Sequence, residues 1–171
     1  MVGGGEVAFR KTEALLEAGA DQVRVVAPLF HPGFAALRKK RTIKFSERKF
    51  RLSDLKGAEL VVCATDCEDT NSLVGAAAAK NGALVNVVDR PALCNFIAPA
   101  VFRNGALTIA VSTGGASPAL AKQIRVRLSK LYGGAFSRKV TVLRELRLKM
   151  LSSKSKKDRQ EYFAQLKKIS P

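Results

Sequence analysis

Apolar residues recur at helical spacing through Val7, Ala14, Leu15 and Ala18, and the pattern stops at Gly19. Val23-Arg24-Val25-Val26-Ala27 then reads as a strand. A loop from Pro28 to Gly33 leads to a short helix over Phe34 to Lys40, and Thr42-Ile43-Lys44-Phe45 reads as a short strand. Leu52 to Ala58 forms a turn or short helix ahead of Glu59-Leu60-Val61-Val62-Cys63-Ala64, a continuous apolar run of the kind that a doubly covered parallel strand requires. Thr65-Asp66 ends that run, and Asp69, Thr70 and Asn71 offer N-caps for a helix through Lys80. Leu84-Val85-Asn86-Val87-Val88 is the next strand, ending at Asp89. Strand and helix alternate throughout, which predicts an α/β fold with a Rossmann-like, doubly wound parallel sheet.

After Pro91 the pattern changes. Asn95 to Phe102 and Leu107 to Val111 read as two strands joined by a turn at Arg103-Asn104-Gly105. Ser112-Thr113-Gly114-Gly115-Ala116-Ser117-Pro118 leads into a helix through about Leu131, with Ser117 as N-cap and Pro118 at the first helical position. Gly133-Gly134 breaks it, and the remainder is helical in pattern and very basic. The expected organisation is a nucleotide-binding domain over 1–98, a small α+β region over 99–133 and a basic helical tail over 134–171. No internal repeat is visible.

Ahead of the first helix stands Gly3-Gly4-Gly5-Glu6-Val7-Ala8, in which Gly3, Gly5 and Ala8 fit the G-x-G-x-x-G/A fingerprint of a dinucleotide-binding βαβ unit. Gly3 permits the tight turn, Gly5 lets backbone N–H groups approach a pyrophosphate, and Ala8 allows close helix–strand packing. Glu6 and Val7 open the helix whose N-terminal dipole faces the anion. Only Met1 and Val2 precede the glycines, so the start as given is expected to fall late in the first strand.

Composition narrows the class. The 171 residues, 47% hydrophobic, can bury a good core. No run of about 18 apolar residues suggests a membrane span, and no secretory pattern opens the chain. Cys63, Cys67 and Cys94 fit a reducing compartment, so the cytoplasm is the expected location. Cys63 and Cys67 lack zinc half-site spacing, and His31 is the only histidine, so no bound metal is expected.

The net charge of +16 first suggests nucleic acid. Its distribution argues otherwise. Residues 138–171 carry eleven Lys/Arg against three Asp/Glu, half the total charge, and a second basic run spans Arg38 to Arg51. Neither run has an RNA-binding signature or an aromatic platform, and only 6% of residues are aromatic. The open alternatives are a solvated basic face and a polyanionic small substrate.

Ligands of open α/β sheets gather at the carboxyl ends of the strands. Gly3–Gly5, Thr65-Asp66 and Asp89 lie there. The ribose-binding acid expected about 20 residues after the glycines is missing. The strand there ends in Ala27-Pro28, so backbone groups near Pro28-Leu29 must recognise the ribose. His31 reads as a solvent-facing loop residue, and no nucleophile elbow is present.

Several stretches together resemble one family, the precorrin-2 dehydrogenase/sirohydrochlorin ferrochelatase module of sirohaem synthase. They are Val2 to Ala8 with Arg10-Lys11, Leu15 to Ala20, Ala64-Thr65-Asp66, Asn86-Val87-Val88-Asp89, Asn95 to Pro99, and Ala110 to Ala121. The resemblance implies NAD-dependent oxidation of precorrin-2 to sirohydrochlorin, with ferrous iron insertion following in some members. It implies NAD held by Gly3, Gly5, Glu6, Val7, Pro28, Leu29, Thr65 and Asp66, with Asp89 as the essential catalytic carboxylate. It assigns Asn95, Ser112, Thr113 and Gly114 to the tetrapyrrole, and a homodimer to the region after the nucleotide domain. The substrate's eight carboxylates give the positive charge a partner other than DNA, so neither nucleic acid nor membrane is expected as a partner. Arg90, Arg125 and Arg127 are candidates to grip those carboxylates. No methyltransferase segment follows in the sequence given, so the single-module form is expected. The rival reading, a nucleotide-sensing protein that binds nucleic acid, leaves the Asn86–Asp89 and Ser112–Pro118 stretches unexplained. A third reading is a catalytically silent dimeric scaffold, in which Asp89 would be free to vary in function tests.

Overall fold

The computed structural model describes residues 1–153 and 155–168, and the chain divides into two compact units, Met1–Ile97 and Ala98–Pro171. The helical reading of the tail also takes in residues 154 and 169–171, which lie outside the described residues.

Val2 sits at the centre of the first unit's sheet. It bridges Val26 on one side and Cys63 on the other, both in parallel. Its N–H donates to the Val62 carbonyl (2.8 Å), its own carbonyl accepts from Ala64 N–H (2.8 Å), and Gly3 N–H donates to the Val26 carbonyl (2.9 Å). Outward from it, β1 (Val23–Ala27) pairs in parallel with β2 (Ile43–Glu47), Val23 opposite Ile43. On the other side β3 (Leu60–Cys63) pairs in parallel with β4 (Leu84–Val87), Leu60 opposite Leu84. The spatial order β2–β1–Val2–β3–β4 reverses direction at Val2, the switch point where doubly wound sheets bind their ligands.

The strands are apolar because both faces are covered. On one face α1 (Glu6–Glu17) and the short α2 (Phe34–Leu37) pack Ala8 and Phe34, both fully buried, against Val25. On the other, α3 (Glu68–Lys80) packs Val74 and Ala78 against Val61, Val85 and Val87. Each buried valine contributes about 1.5–3 kcal/mol of transfer free energy. Ala8 has no exposed surface, so a leucine there would force α1 off the sheet. Phe34 meets Phe9, Phe30 and Phe45 edge-on at 5.3–5.8 Å, the geometry that ring quadrupoles favour. Arg38 lies over Phe30 and Phe45 and is tethered by Glu47. Gly19, at φ +93°, closes α1 in the left-handed conformation that stops helices.

Three local expectations change. The helix over Phe34 to Lys40 stops at Leu37. The N-cap of α3 is Cys67, without a side-chain cap, and Asn71 lies inside the helix because its amide serves the preceding loop instead. Asn95 to Pro99 is not a strand. There the backbone N–H groups of Asn95 and Phe96 both donate to the Val85 carbonyl, and the Asn95 carboxamide interrupts the ladder, accepting from Val85 N–H (2.6 Å) and donating to the Ala83 carbonyl (2.9 Å).

In the second unit, β5 (Ala100–Asn104) and β6 (Leu107–Val111) form an antiparallel hairpin that turns at Gly105 (φ +58°). Then come α4 (Pro118–Leu131), α5 (Phe136–Ser153) and α6 (Lys156–Lys167). Ser117 caps α4, its hydroxyl accepting from Leu120 N–H (3.2 Å), with Pro118 at the first position. Asn104 ties the hairpin to the end of α4 by donating to the Tyr132 carbonyl (2.8 Å). Lys149 of α5 reaches Asp158 (3.1 Å) and Glu161 (3.5 Å) of α6. Among the described residues, no helix is long and apolar enough to cross a membrane.

Candidate functional site

A cavity of about 970 Å³ opens at the carboxyl ends of the strands, over the switch point. Gly3, Gly5, Glu6, Val7, Pro28, Leu29, Thr65, Asp66 and Asp89 all line it. The loops that bring them there are separated by long stretches of sequence, and only the sheet topology gathers them.

The glycine turn is shaped by backbone contacts. Gly3 has φ +113°, and a Cβ on it would lie 2.1 Å from the Ala64 carbonyl oxygen. Gly4, outside the fingerprint, is packed as tightly: its Cβ would lie 2.1 Å from the Leu29 carbonyl oxygen and 2.7 Å from Ala27 Cβ. Gly5 faces open space. It is the N-cap of α1 and has no side chain to cap the helix, so first-turn N–H groups at Glu6 and Val7 have no intrahelical partner. Open space above uncapped donors at a positive dipole end fits the pyrophosphate of a dinucleotide.

His31 supports this turn. Its N–H donates to the Gly4 carbonyl (2.7 Å), its Nδ1 accepts from Gly33 N–H (3.1 Å), and its ring stacks on Phe9 at 5.5 Å. The solvent-facing reading of His31 therefore gives way to a bracing one. Leu29, at the cavity lip, is 83% exposed, and Lys49 and Phe50 line the cavity with it.

The wall after β3 is held by one residue that sequence reasoning treated only as a cap. Asn71, 5% exposed, accepts from Thr65 Oγ1 (2.7 Å) and from Cys63 Sγ (3.2 Å), and its amide donates to the Thr65 carbonyl (3.0 Å). This carboxamide fixes the loop that carries Thr65 and Asp66. Cys67 also lines the cavity, and the Thr70 hydroxyl donating to its sulfur (3.2 Å) lowers its pKa. Burial pushes the Cys63 thiol up to about 11.

Asp89 follows β4 and adopts φ +58°, the one positive φ at a non-glycine among the described residues. Aspartate tolerates this region better than most residues, yet the conformation costs free energy and marks a position set by its surroundings. Val88 N–H donates to the Cys63 carbonyl (2.8 Å), anchoring the chain just before it. Lys11 reaches Asn86 Oδ1 (3.5 Å); burial lowers its pKa, and the nearby Asp89 charge partly offsets that. Arg90 is gripped by Glu68, which raises its pKa.

Of the residues assigned to a tetrapyrrole, Asn95 belongs to the first unit and the other three to the second. Asn95 braces β4, as described above. Ser112, Thr113 and Gly114 belong to the second unit, in the turn ahead of α4. There Ser112 Oγ accepts from Gly114 N–H (3.1 Å) and Thr113 Oγ1 from Ser117 N–H (2.9 Å). Among the described residues, no group of three or more His, Cys, Asp or Glu could hold a metal ion.

Residues 1–100 match the family described as putative NAD(P)-binding, and residues 104–131 match the sirohaem biosynthesis protein central family. The chain is 39% identical over 164 residues to a sirohaem synthase of Nitrosomonas eutropha, covering 95% of this chain and 34% of that protein. It is 41% identical over 147 residues to one of Methylococcus capsulatus, covering 86% and 31% respectively. The chain thus spans about a third of the length of these curated relatives. Among solved structures, it resembles SirC, a precorrin-2 dehydrogenase, with a TM-score of 0.75 and 28% identity over 98% of this chain and 92% of that one.

Proposed function

The chain belongs to the putative NAD(P)-binding family as it occurs in sirohaem biosynthesis, and on that premise we propose that it oxidises precorrin-2 to sirohydrochlorin with NAD. One observation carries the reading: the glycine turn, the Thr65-Asp66 loop and the strained Asp89 line a single cavity at the switch point of the sheet.

When bound, the nicotinamide dinucleotide supplies the hydride acceptor. First-turn N–H groups at Glu6 and Val7 would bind its pyrophosphate, and Pro28 and Leu29 would present backbone and apolar surface to its adenosine. No acid closes β1, so the cofactor's ribose would be recognised by backbone groups near Pro28 and Leu29 rather than by a carboxylate. Thr65 and Asp66, on the cavity wall after β3, would hold the nicotinamide end. Asp89 accepts the proton that the reduced ring gives up as hydride leaves it, and general-base help of this kind is worth about 10²–10⁴-fold.

The partner of this chain is a second copy of itself. Exposed Leu131, Val142, Leu148 and Leu151 support this, since large apolar side chains left in water favour association. The basic helices α5 and α6 suit an acidic substrate, and three free cysteines suit the cytoplasm. Ferrous iron is the further substrate if the module also chelates, with Asp89 then helping to remove pyrrole N–H protons.

The deciding experiment supplies precorrin-2 and NAD to the purified protein and follows NADH absorbance, then adds ferrous ion and follows the ring spectrum. Stoichiometric NADH is expected. Binding of both ligands without NADH formation would sink the proposal.

A further inference from the structure

Arg90 follows Asp89 directly, and its guanidinium is already engaged. Nε donates to both carboxylate oxygens of Glu68 (2.9 and 3.1 Å), and an Nη group on Oε2 completes the fork. Glu68 is the first residue of α3, so the contact joins the end of β4 to the start of that helix across 22 residues of sequence. Both side chains line the cavity, and both stay well exposed, at 50% and 59%. Among the described residues, the cavity is lined by one other cation, Lys49, whose chain neighbour Phe50 also lines it.

A planar guanidinium recognises a carboxylate through two parallel N–H donors, whether that carboxylate belongs to the protein or to a ligand. Glu68 shows that the Arg90 fork is open to such a partner from the cavity side. Exchanging one carboxylate for another conserves the hydrogen bonds. Glu68, once released, returns to water it already touches, so displacement leaves no buried charge behind. Exposed ion pairs are weak, which makes the exchange easy for a ligand with several carboxylates.

We propose that the Arg90 guanidinium is a carboxylate-binding subsite for the substrate, and that Glu68 is its resident stand-in, displaced as an acidic ring enters. This rests on the polycarboxylate reading of the substrate given above. Because residues 89 and 90 are adjacent, a ring carboxylate held by Arg90 brings the ring edge to the Asp89 carboxylate. Arg90 is thus a substrate-binding residue, and Glu68 is a competitor that sets how readily it is reached.

The test uses uroporphyrin, an octacarboxylate ring already fully aromatic and so not oxidised, titrated by fluorescence into the NAD-bound protein at low ionic strength. Glu68→Gln is expected to tighten binding about two- to fivefold, the range that an exposed pair spans. Arg90→Gln is expected to weaken binding, and adding Glu68→Gln to it should then change nothing. Glu17→Gln, on exposed α1 surface away from the cavity, controls for the unit change in net charge. Melting curves and NAD titrations on every variant separate misfolding from loss of the subsite. Unchanged binding by Glu68→Gln, tightening that persists without Arg90, or no ring binding by any of the proteins would each overturn the proposal. If the wild-type protein binds uroporphyrin as expected yet makes no NADH from precorrin-2, the dehydrogenase reading falls while the subsite stands.

Discussion

Thr65 Oγ1 lies 2.7 Å from Asn71 Oδ1, and the amide of the same asparagine donates to the Thr65 carbonyl at 3.0 Å. One carboxamide on α3 thus fixes both ends of the residue that opens the cavity wall. Asn71→Leu should strip the Thr65 carbonyl of this donor and leave the Thr65 hydroxyl only its longer contacts with the Cys67 backbone (3.3 Å), destabilising the fold by about 1–3 kcal/mol. NAD affinity should fall as well, because the wall loses its fixed shape. Thermal melts and NAD titration check both. Unchanged affinity would show that the loop holds itself.

At Asp89 the two demands on one residue can be separated. Glycine adopts φ +58° at no steric cost, whereas alanine does not. Asp89→Gly should melt at or above the wild type and Asp89→Ala below it, with a gap of about 1 kcal/mol. Both should lose dehydrogenation by about 10²–10⁴-fold while still binding NAD. Near-normal NADH production by either variant rules out the proposed base.

The glycines of the turn should split by role. Gly3→Ala puts a methyl group 2.1 Å from a carbonyl oxygen at φ +113°, and a loss of about 3 kcal/mol or more is expected. Gly5→Ala meets nothing within 4 Å, so its melting temperature should barely move. Its NAD affinity should nevertheless drop roughly tenfold as the methyl group crowds the pyrophosphate. Equal losses of stability in the two variants would contradict this division.

Thiol chemistry offers an independent view of the cavity. Cys67 is exposed with a lowered pKa, whereas Cys63 is buried with a thiol near 11. Alkylation near neutral pH should therefore strike Cys67 far faster than Cys63, since the thiolate is the nucleophile. NAD should slow it. Thr70→Val removes the hydrogen bond that lowers this pKa, so the rate profile should move to higher pH. Peptide mapping by mass spectrometry reads the outcome. Preferential labelling of Cys63 would overturn the assignment.

The strands and helices of the first unit were legible because each carries its own period or its own apolar run. Val23–Ala27 and Leu60–Cys63 stand where the pattern puts them, and the glycine fingerprint located the cavity. Asn71 was not legible as a brace, since an asparagine near a helix start carries the same signal as a cap. Asn95 misled in the other direction. Its side chain completes the edge of β4, so the apolar residues after it run beside a strand without forming one. Gly4 and the Glu68–Arg90 pair depend on contacts between distant segments, which no local spacing encodes.

The close fit of Gly4 against Ala27 and Leu29 couples two parts that look separate on the surface. The main chain of the Pro28-Leu29 loop cannot drift without dislodging the anion cradle, yet the leucine side chain itself projects into solvent. Cofactor preference should therefore be open to retuning at position 29 by side-chain replacement alone, provided that the backbone course past the glycines is left as it is.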